Sequence, residues 1–250
     1  AYTGGSPGGA PMEKLSDKRV GIIGTGATAV QCIPPLARDA KELFVFQRTP
    51  SSIDVRNNHA IDAEEFARLG PGWQRQWVFN FATLQTGGFA DQDYVKDGWT
   101  DIAKRIRDRV VSELTQSGGE LTPELIARAY TDSDDEKMEE VRARVDEIVQ
   151  DAATAADLKP WYQQLCKRPC FHDEYLQAYN VPTCHLVDTD GKGVERIDET
   201  GVWVGGKHYA LDCLIFASGF EVGTGYARRA GYETVGRGGE TLSEHWSEGM

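Results

Sequence analysis

The chain has 250 residues, which is enough for one large domain or two small ones with a buried core. Its 27 Lys and Arg residues against 39 Asp and Glu residues give a formal net charge of −12. Because such an acidic surface repels phosphate backbones, the charge argues against a nucleic-acid-binding protein. No apolar run approaches the about 20 residues that a membrane-spanning helix needs, which argues against a membrane protein. The five cysteines are an odd count, so a disulfide scaffold is not expected and a cytoplasmic location is predicted.

The first segment, residues 1–16, is rich in glycine and proline and predicts a linker without regular structure. It lacks the basic and apolar regions of a signal peptide. The character of the sequence then changes abruptly. Residues 18–24 form an apolar run that ends in glycine, as expected of a buried parallel strand.

A helix and a second strand follow this first strand. Residues 28–40 predict a helix, which Pro34 and Pro35 should bend or interrupt. Residues 43–46 (Leu-Phe-Val-Phe) predict a second buried strand. Strand, glycine turn, helix and strand make one βαβ unit, and residues 17–56 are assigned to the first half of a nucleotide-binding domain.

Residues 57–165 predict a helical insertion without a recognisable catalytic motif. Apolar residues recur at helical spacing in two groups, which are Ile102, Ile106, Val110 and Leu114, and Met138, Val141, Val145 and Ile148. Thr122 followed by Pro123 is typical of a helix start. The acidic run 132–135 predicts a solvated loop that leads into the next helix. The aromatic residues expected to pack the insertion are Trp73, Trp77, Phe79 and Phe81.

Residues 166–250 return to strand patterns and form the predicted second half of the domain. Residues 185–187 predict a short strand, and residues 213–217 predict a fully buried one. Between them, the alternating segments 194–197, 202–204 and 207–210 are separated by glycines and predict an antiparallel meander. The predicted fold class is therefore α/β: a three-layer, Rossmann-like nucleotide-binding domain with a parallel sheet and an antiparallel meander, interrupted by the helical insertion.

The turn after the first strand carries the pattern G-x-G-x-x-A, formed by Gly24, Thr25, Gly26, Ala27, Thr28 and Ala29. In this pattern the first glycine permits a tight turn, the second lets a pyrophosphate approach the backbone, and the small third residue lets helix and strand pack closely. The N-terminus of the following helix supplies N–H groups and partial positive charge. Because a strand precedes the pattern and a helix follows it, dinucleotide binding is favoured over a plain glycine turn.

The end of the second strand favours NADP over NAD. An NAD site usually has Asp or Glu there to bind the ribose hydroxyls, whereas this strand ends in Phe-Gln-Arg-Thr. Arg48 can pair bidentately with a 2′-phosphate, which a carboxylate would repel. The alternative is that Arg48 is a solvated residue at the end of a strand.

A metal site is not predicted. Cys166, Cys170 and His172 have a C-x3-C-x-H spacing that is unusual for zinc, and no second paired cluster follows. The same spacing fits a C-x-x-C redox pair poorly. No G-x-S-x-G motif of a hydrolase is present.

Several strings, taken together, resemble the Baeyer–Villiger monooxygenases, flavoproteins that use NADPH and O2 to convert ketones to esters or lactones. The matching strings are G-T-G-A-T-A-V-Q at 24–31, F-Q-R-T-P at 46–50, K-R-P at 167–169, H-L-V-D-T at 185–189, and Asp212 with A-S-G-F at 217–220. Ser218 replaces the more usual threonine of that last motif. The resemblance runs from about residue 18 to the C-terminus and is weakest in the helical insertion.

The resemblance implies roles for individual residues. The pyrophosphate of NADP(H) would be held by Gly24, Thr25, Gly26, Thr28 and Gln31. The 2′-phosphate would be held by Arg48, Thr49 and Lys167, although the local sequence alone suggests only a solvated basic pair at Lys167 and Arg168. Arg168 would be catalytic: it would reach the edge of the flavin, where its permanent charge can stabilise negative charge.

The family's FAD-binding glycine fold and its fingerprint with histidine and tryptophan are not found in this sequence. We therefore expect the NADP-binding part of a larger enzyme, with the FAD domain, a ketone and O2 as partners of that enzyme, and binding of NADP(H) without turnover by this part alone. Two alternatives remain: part of an N-hydroxylating flavin monooxygenase, and a stand-alone nucleotide-binding module without catalysis.

Overall fold

The computed structural model describes residues 3–6, 9–60, 62–220 and 223–248. It divides into two units, Ala1–Ala217 and Ser218–Met250. The strands of the first unit are β1 (Arg19–Ile23), β2 (Glu42–Gln47), β3 (Ile53–Asp54), β4 (Cys170–Phe171), β5 (Cys184–Asp188), β6 (Arg196–Asp198), β7 (Gly201–Val204), β8 (Lys207–Ala210) and β9 (Cys213–Phe216). Its helices are α1 (Ala27–Asp39), α2 (Ala63–Ala67), α3 (Trp73–Gln85), α4 (Gly98–Ser117), α5 (Pro123–Ile148), α6 (Ala152–Leu158) and α7 (Tyr175–Ala178), with 3-10 turns at Glu13–Leu15 and Gln164–Cys166.

A parallel sheet of order β5-β2-β1-β9 forms the centre of the first unit. Successive side chains of β2 point to opposite faces of the sheet, and both faces are covered. Leu43 and Val45 belong to a core cluster with α1 and α7, whereas Phe44 and Phe46 pack with Val202 of the antiparallel sheet β6-β7-β8. Helices, parallel sheet and antiparallel meander thus form three layers. This confirms the predicted α/β class, and the order resembles the 3-2-1-4 start of doubly wound sheets that bind dinucleotides.

Helix α1 is continuous through Pro34 and Pro35, so the predicted interruption is wrong. Each proline removes one backbone N–H donor from the helix, but the helix keeps its other hydrogen bonds. Ile33 and Leu36, on either side of the pair, are almost completely buried against the sheet. Packing of this apolar face therefore outweighs the local loss.

The strand β9 is less buried than its apolar sequence predicts. Cys213, Leu214 and Ile215 are half-buried, and Phe216 is 65% exposed. The expectation of a fully buried strand is wrong because β9 pairs only with β1 among the residues that the structure describes. An edge strand is covered by fewer neighbours than a central one.

The insertion is helical, as predicted, and is built around the packing of α4 on α5. Thr122 caps α5 by accepting the Leu125 N–H at 3.2 Å. The acidic run 132–135 lies within α5, so the predicted loop is wrong. Ser133 and Asp134 are each only 1% exposed. The run is acidic, as surface loops often are, but Ser133 and Asp134 lie on the packed side of the helix.

Two cations of α5 join the insertion to the short parallel pair β3-β4. Lys137 is buried, and its ammonium lies 2.5 Å from Asp54 and 3.1 Å from Asp101. Burial lowers the pKa of Lys137, but the hydrogen bonds and charges of Asp54 and Asp101 together outweigh burial and raise it above its usual value. Arg144 donates to the carbonyls of Ile53 and His172, both at 3.1 Å.

The aromatic residues of the insertion pack only in part. Trp73 and Trp77 lie 5.3 Å apart, centroid to centroid, and both contact the Phe66 ring. Phe81 is half-buried. The expectation fails for Phe79, whose side chain is 64% exposed.

The second unit contains two short helices, α8 (Tyr226–Ala230) and α9 (Leu242–His245). Thr241 and Glu244 form a reciprocal capping box at the start of α9. In the parts of both units that the structure describes, no helix has the length and apolar character needed to cross a membrane.

Candidate functional site

The glycine turn follows β1 and opens directly into α1. Gly24 has φ +108°, a backbone conformation that other residues rarely adopt, and its N–H donates to the Phe46 carbonyl at 3.0 Å. Gly26 is the N-cap of α1 and offers no side-chain cap to the first N–H groups. A Cβ added to Gly26 would meet no heavy atom within 4 Å, so the space above the turn is open. The helix N-terminus is thus accessible to an anion.

The remaining residues of the glycine pattern divide between the surface and the core. Ala27 and Thr28 are exposed at the first turn of α1. Ala29 is completely buried, as expected of the small residue that lets α1 approach β1. Thr25 is buried and donates its hydroxyl to the Thr49 carbonyl at 2.8 Å. Because this donor is used within the protein, Thr25 can offer only its backbone N–H to a phosphate.

The loop of residues 49–52 lies between β2 and β3 and is hydrogen-bonded to the glycine turn. Ser51 donates its hydroxyl to the Thr25 carbonyl at 2.6 Å, beside the bond from Thr25 to Thr49. On its other side, the Ser52 carbonyl accepts the Cys170 N–H at 3.1 Å. The loop therefore links the glycine turn to the segment that carries Lys167 and Arg168.

Tyr162 holds the same loop by its phenol. Its hydroxyl donates to the Pro50 carbonyl at 2.9 Å and accepts the Ser52 N–H at 3.0 Å. Burial raises the pKa of Tyr162 to about 12, so the phenol is neutral under ordinary conditions. Sequence reasoning missed this residue, and no pattern around it indicates a role.

Lys167 is linked through Tyr162 to the loop that follows Arg48, although 118 residues lie between Arg48 and Lys167 in the sequence. Partial burial of its ammonium, together with the charge of Arg48, lowers the pKa of Lys167. The Lys167 ammonium lies 5.0 Å from the centre of the Tyr162 ring. Both cations are exposed, and neither makes an ion pair with any residue in the described ranges. Two cations without an acidic partner have the charge needed to attract an anion.

The backbone before Arg48 is fixed by Gln47, which is completely buried. Its side-chain amide donates to the Asp157 carbonyl at 2.7 Å and to the Asp188 carboxylate at 2.8 Å. Its carbonyl accepts both the N–H and the hydroxyl of Thr189, at 2.8 and 2.7 Å. Sequence reasoning assigned these residues no role; the match at 185–189 was the signal that marked Asp188 and Thr189.

An open cleft of about 670 Å³ lies beside the first turn of α1. Its walls bring together Ala27 and Gln31 of α1, Arg168, and Trp99 from the insertion. The Arg168 guanidinium lies 5.9 Å from the centre of the Trp99 ring, and the Gln31 amide donates to the Ala27 carbonyl at 3.0 Å. Of the predicted site residues, Ala27, Gln31 and Arg168 line this cleft, whereas the rest of the glycine turn and Arg48, Thr49 and Lys167 lie outside its lining.

Asp173 also lines the cleft. Its carboxylate accepts the consecutive N–H groups of Arg56, Asn57 and Asn58 at 3.0, 3.0 and 2.9 Å. Burial acts to raise the pKa of Asp173, but the three N–H bonds prevail and lower it. The loop after β3 is therefore held to β4 by one ionised side chain.

The cysteines are all free thiols. Burial raises the pKa of Cys184 to about 12 and that of Cys170 above its ordinary value. Within the described ranges, no group of three or more His, Cys, Asp and Glu side chains is arranged to hold a metal ion.

No protein-family model matches the chain. Curated relatives do match it along its whole length. Neopentalenolactone D synthase of Streptomyces avermitilis is 53% identical over 251 aligned residues, covering 100% of the chain and 41% of the relative. Baeyer-Villiger monooxygenase ATR8 of Stachybotrys chlorohalonatus is 51% identical, covering 100% of the chain and 39% of the relative.

Solved structures agree with these relatives. A polycyclic ketone monooxygenase from Thermothelomyces thermophila has a TM-score of 0.81 at 42% identity, covering 99% of the chain and 41% of the solved one. OTEMO in complex with FAD and NADP has a TM-score of 0.64 at 28% identity, with coverage of 98% and 46%. The chain thus spans about two fifths of the curated relatives that it matches. Over this span, at about half identity, the chain is similar to Baeyer–Villiger monooxygenases and matches about two fifths of their length.

Proposed function

We propose that the chain is the NADP(H)-binding portion of an FAD-dependent Baeyer–Villiger monooxygenase that oxidises ketones to esters or lactones with NADPH and O2. One observation carries this proposal: the open glycine turn and the cation pair Arg48 and Lys167 are joined by the hydrogen-bonded loop 49–52. The cofactors named for the solved relative OTEMO, FAD and NADP, support it.

The residues present fit two parts of NADP(H), the central pyrophosphate and the 2′-phosphate of the adenosine half. The backbone N–H groups at Gly26, Ala27 and Thr28 would bind the pyrophosphate at the open start of α1. Arg48 and Lys167 would bind the 2′-phosphate, since their charges have no acidic partner in the described ranges. Gln31 would contact the cofactor from the second turn of α1, which lines the cleft, and Thr49, which follows Arg48, would complete the 2′-phosphate end.

Arg168 would act at the flavin side of the cleft. Its guanidinium makes no ion pair within the described ranges, so it could stabilise negative charge that develops there. FAD, when bound, supplies the oxygen-transfer chemistry that side chains lack. The contribution of this chain is to orient the nicotinamide and to present Arg168. We therefore expect binding without turnover until the FAD domain, ketone and O2 are supplied.

Two further assignments belong to the proposal. We place the boundaries of the NADP domain halves at 17–56 and 166–250, with 57–165 as the insertion and 1–16 as a linker. We place the protein in the cytoplasm, which the unpaired state of its thiols supports.

The test is a calorimetric titration of the 250-residue chain with NADP+ and NAD+, repeated on Arg48→Ala. The expected result is tighter binding of NADP+, with most of that preference absent in Arg48→Ala. Arg38→Ala is the matched control, because Arg38 is an exposed cation at the opposite end of α1 and should leave the preference intact. Binding of neither nucleotide, or equal binding of both by the unaltered chain, would refute the proposal.

A further inference from the structure

The proposed 2′-phosphate site needs its two cations to point at one phosphate. Lys167 is exposed, follows a 3-10 turn, and has a long flexible side chain. Fixing such a side chain costs up to about 2 kcal/mol of conformational entropy unless it is already held in place. The nearby positive charge of Arg48 also acts against it. Some group must therefore hold the ammonium near Arg48.

An acidic partner would hold Lys167 but would also cancel the charge that the phosphate needs. None of the residues that the structure describes plays this part. The face of an aromatic ring attracts an ammonium without neutralising it, at distances up to about 6 Å. Tyr162 meets this condition, because the centre of its ring lies 5.0 Å from the Lys167 ammonium.

The ring of Tyr162 is itself rigidly placed. Its hydroxyl bonds to Pro50 on one side and Ser52 on the other, at 2.9 and 3.0 Å. These residues belong to the loop that Thr25 and Ser51 join to the glycine turn. The position of the ring is therefore fixed relative to both the end of β2, where Arg48 lies, and the proposed pyrophosphate site.

We propose that Tyr162 is a positioning residue that holds the Lys167 ammonium toward a 2′-phosphate and so helps to set the preference for NADP+ over NAD+. This inference rests on the proposed function. It predicts an effect on one nucleotide only, since NAD+ has no 2′-phosphate for Lys167 to contact.

The test compares Tyr162→Leu with Tyr162→Phe in the 250-residue chain by calorimetry with both nucleotides. Compared with Tyr162→Phe, which loses the same hydroxyl, Tyr162→Leu also removes the ring face and should weaken NADP+ binding about three- to tenfold more than NAD+ binding, the range of a partly exposed cation–π contact. Tyr162→Phe keeps the ring and should retain most of the preference. A purely structural role would instead weaken both nucleotides equally.

A double-mutant cycle separates action through Lys167 from other effects. In a Lys167→Ala background, Tyr162→Leu should not change the ratio of the two dissociation constants any further. The inference is overturned if Tyr162→Leu leaves the ratio unchanged in the unaltered chain, or lowers it equally in both backgrounds. If the unaltered chain already shows no preference, the proposed function fails as well; if only Lys167→Ala removes the preference, this inference alone fails.

Should Tyr162→Leu not fold, a trifluorinated phenylalanine at the same position provides the same comparison. Fluorination keeps the size of the ring but withdraws the negative charge from its face, which is what attracts a cation. The fluorinated protein should show a lower NADP+ to NAD+ preference than Tyr162→Phe. Equal preferences would overturn the role of the ring face.

Discussion

Replacing Arg48 or Lys167 by alanine should weaken NADP+ binding selectively. Each side chain offers a charge-assisted hydrogen bond to a phosphate that only NADP+ has, and such a bond contributes about 1.5–3 kcal/mol, or roughly ten- to a hundredfold in affinity. Neither cation has an acidic partner within the described ranges, so no internal ion pair offsets this loss. Because both side chains are exposed, the NADP+ preference should also fall as salt rises.

The preference should have a defined pH range. On the acid side it declines as a phosphate group takes up its second proton, near pH ~6. On the alkaline side it declines as Lys167 loses its proton, and it does so earlier than for an ordinary lysine, because burial and the charge of Arg48 lower the Lys167 pKa. In Lys167→Ala, the remaining preference should therefore lose its alkaline decline.

Calorimetric titrations with NADP+ and NAD+ across this pH range check the reasoning. The two single variants, the double variant and the Arg38→Ala control are measured at low and high salt. An equal loss of NAD+ affinity would mean that the cations support the fold rather than the phosphate. An alkaline decline that persists in Lys167→Ala would show that another group titrates.

Three further outcomes are expected. Gly24→Ala places a side chain at φ +108° and should cost about 1–3 kcal/mol of unfolding free energy in urea, whereas Gly26→Ala, at φ −76° with open space around its Cβ, should keep stability but lose nucleotide binding. The lowered pKa of Asp173 contributes stability that is present above its unfolded-state pKa and is lost as pH falls through the folded value, so Asp173→Asn should flatten the acid unfolding profile. Lys137→Met leaves Asp54 and Asp101 without their shared cation and should cost about 2–4 kcal/mol, against less than about 1 kcal/mol for Lys104→Met in an exposed ion pair, measured by urea unfolding.

The elements that could be predicted from the sequence are those determined by neighbours along the chain. The run 18–24 with its glycine turn, and the alternating segments of the meander, each contain the apolar pattern of the face that they bury. The cap formed by Thr122 is equally local. The resemblance to a family added Lys167, which no local pattern marks.

The expectations that failed depended on contacts distant in sequence. Asp134 looks like part of a charged loop, yet it is buried because the Gln164 N–H donates to it at 2.9 Å. Phe216 looks like a core residue, and its exposure follows from the place of β9 at the sheet edge. Charge and hydropathy indicate whether a side chain favours exposure or burial, whereas its tertiary neighbours determine which of the two occurs.

The insertion contributes to the candidate site because α5 contacts the segment of residues 159–164, which leads from α6 to Lys167. Arg142 donates to the Pro160 carbonyl at 3.0 Å, Lys159 pairs with Asp146 at 2.6 Å, and Asp134 accepts the Gln164 N–H. Just before this segment, Gln47 of β2 binds the Asp157 carbonyl. The segment is thus held between the insertion and the sheet. It follows that substitutions on the inner face of α5, far from any phosphate, should alter the placement of Lys167 and with it the choice between NADP+ and NAD+.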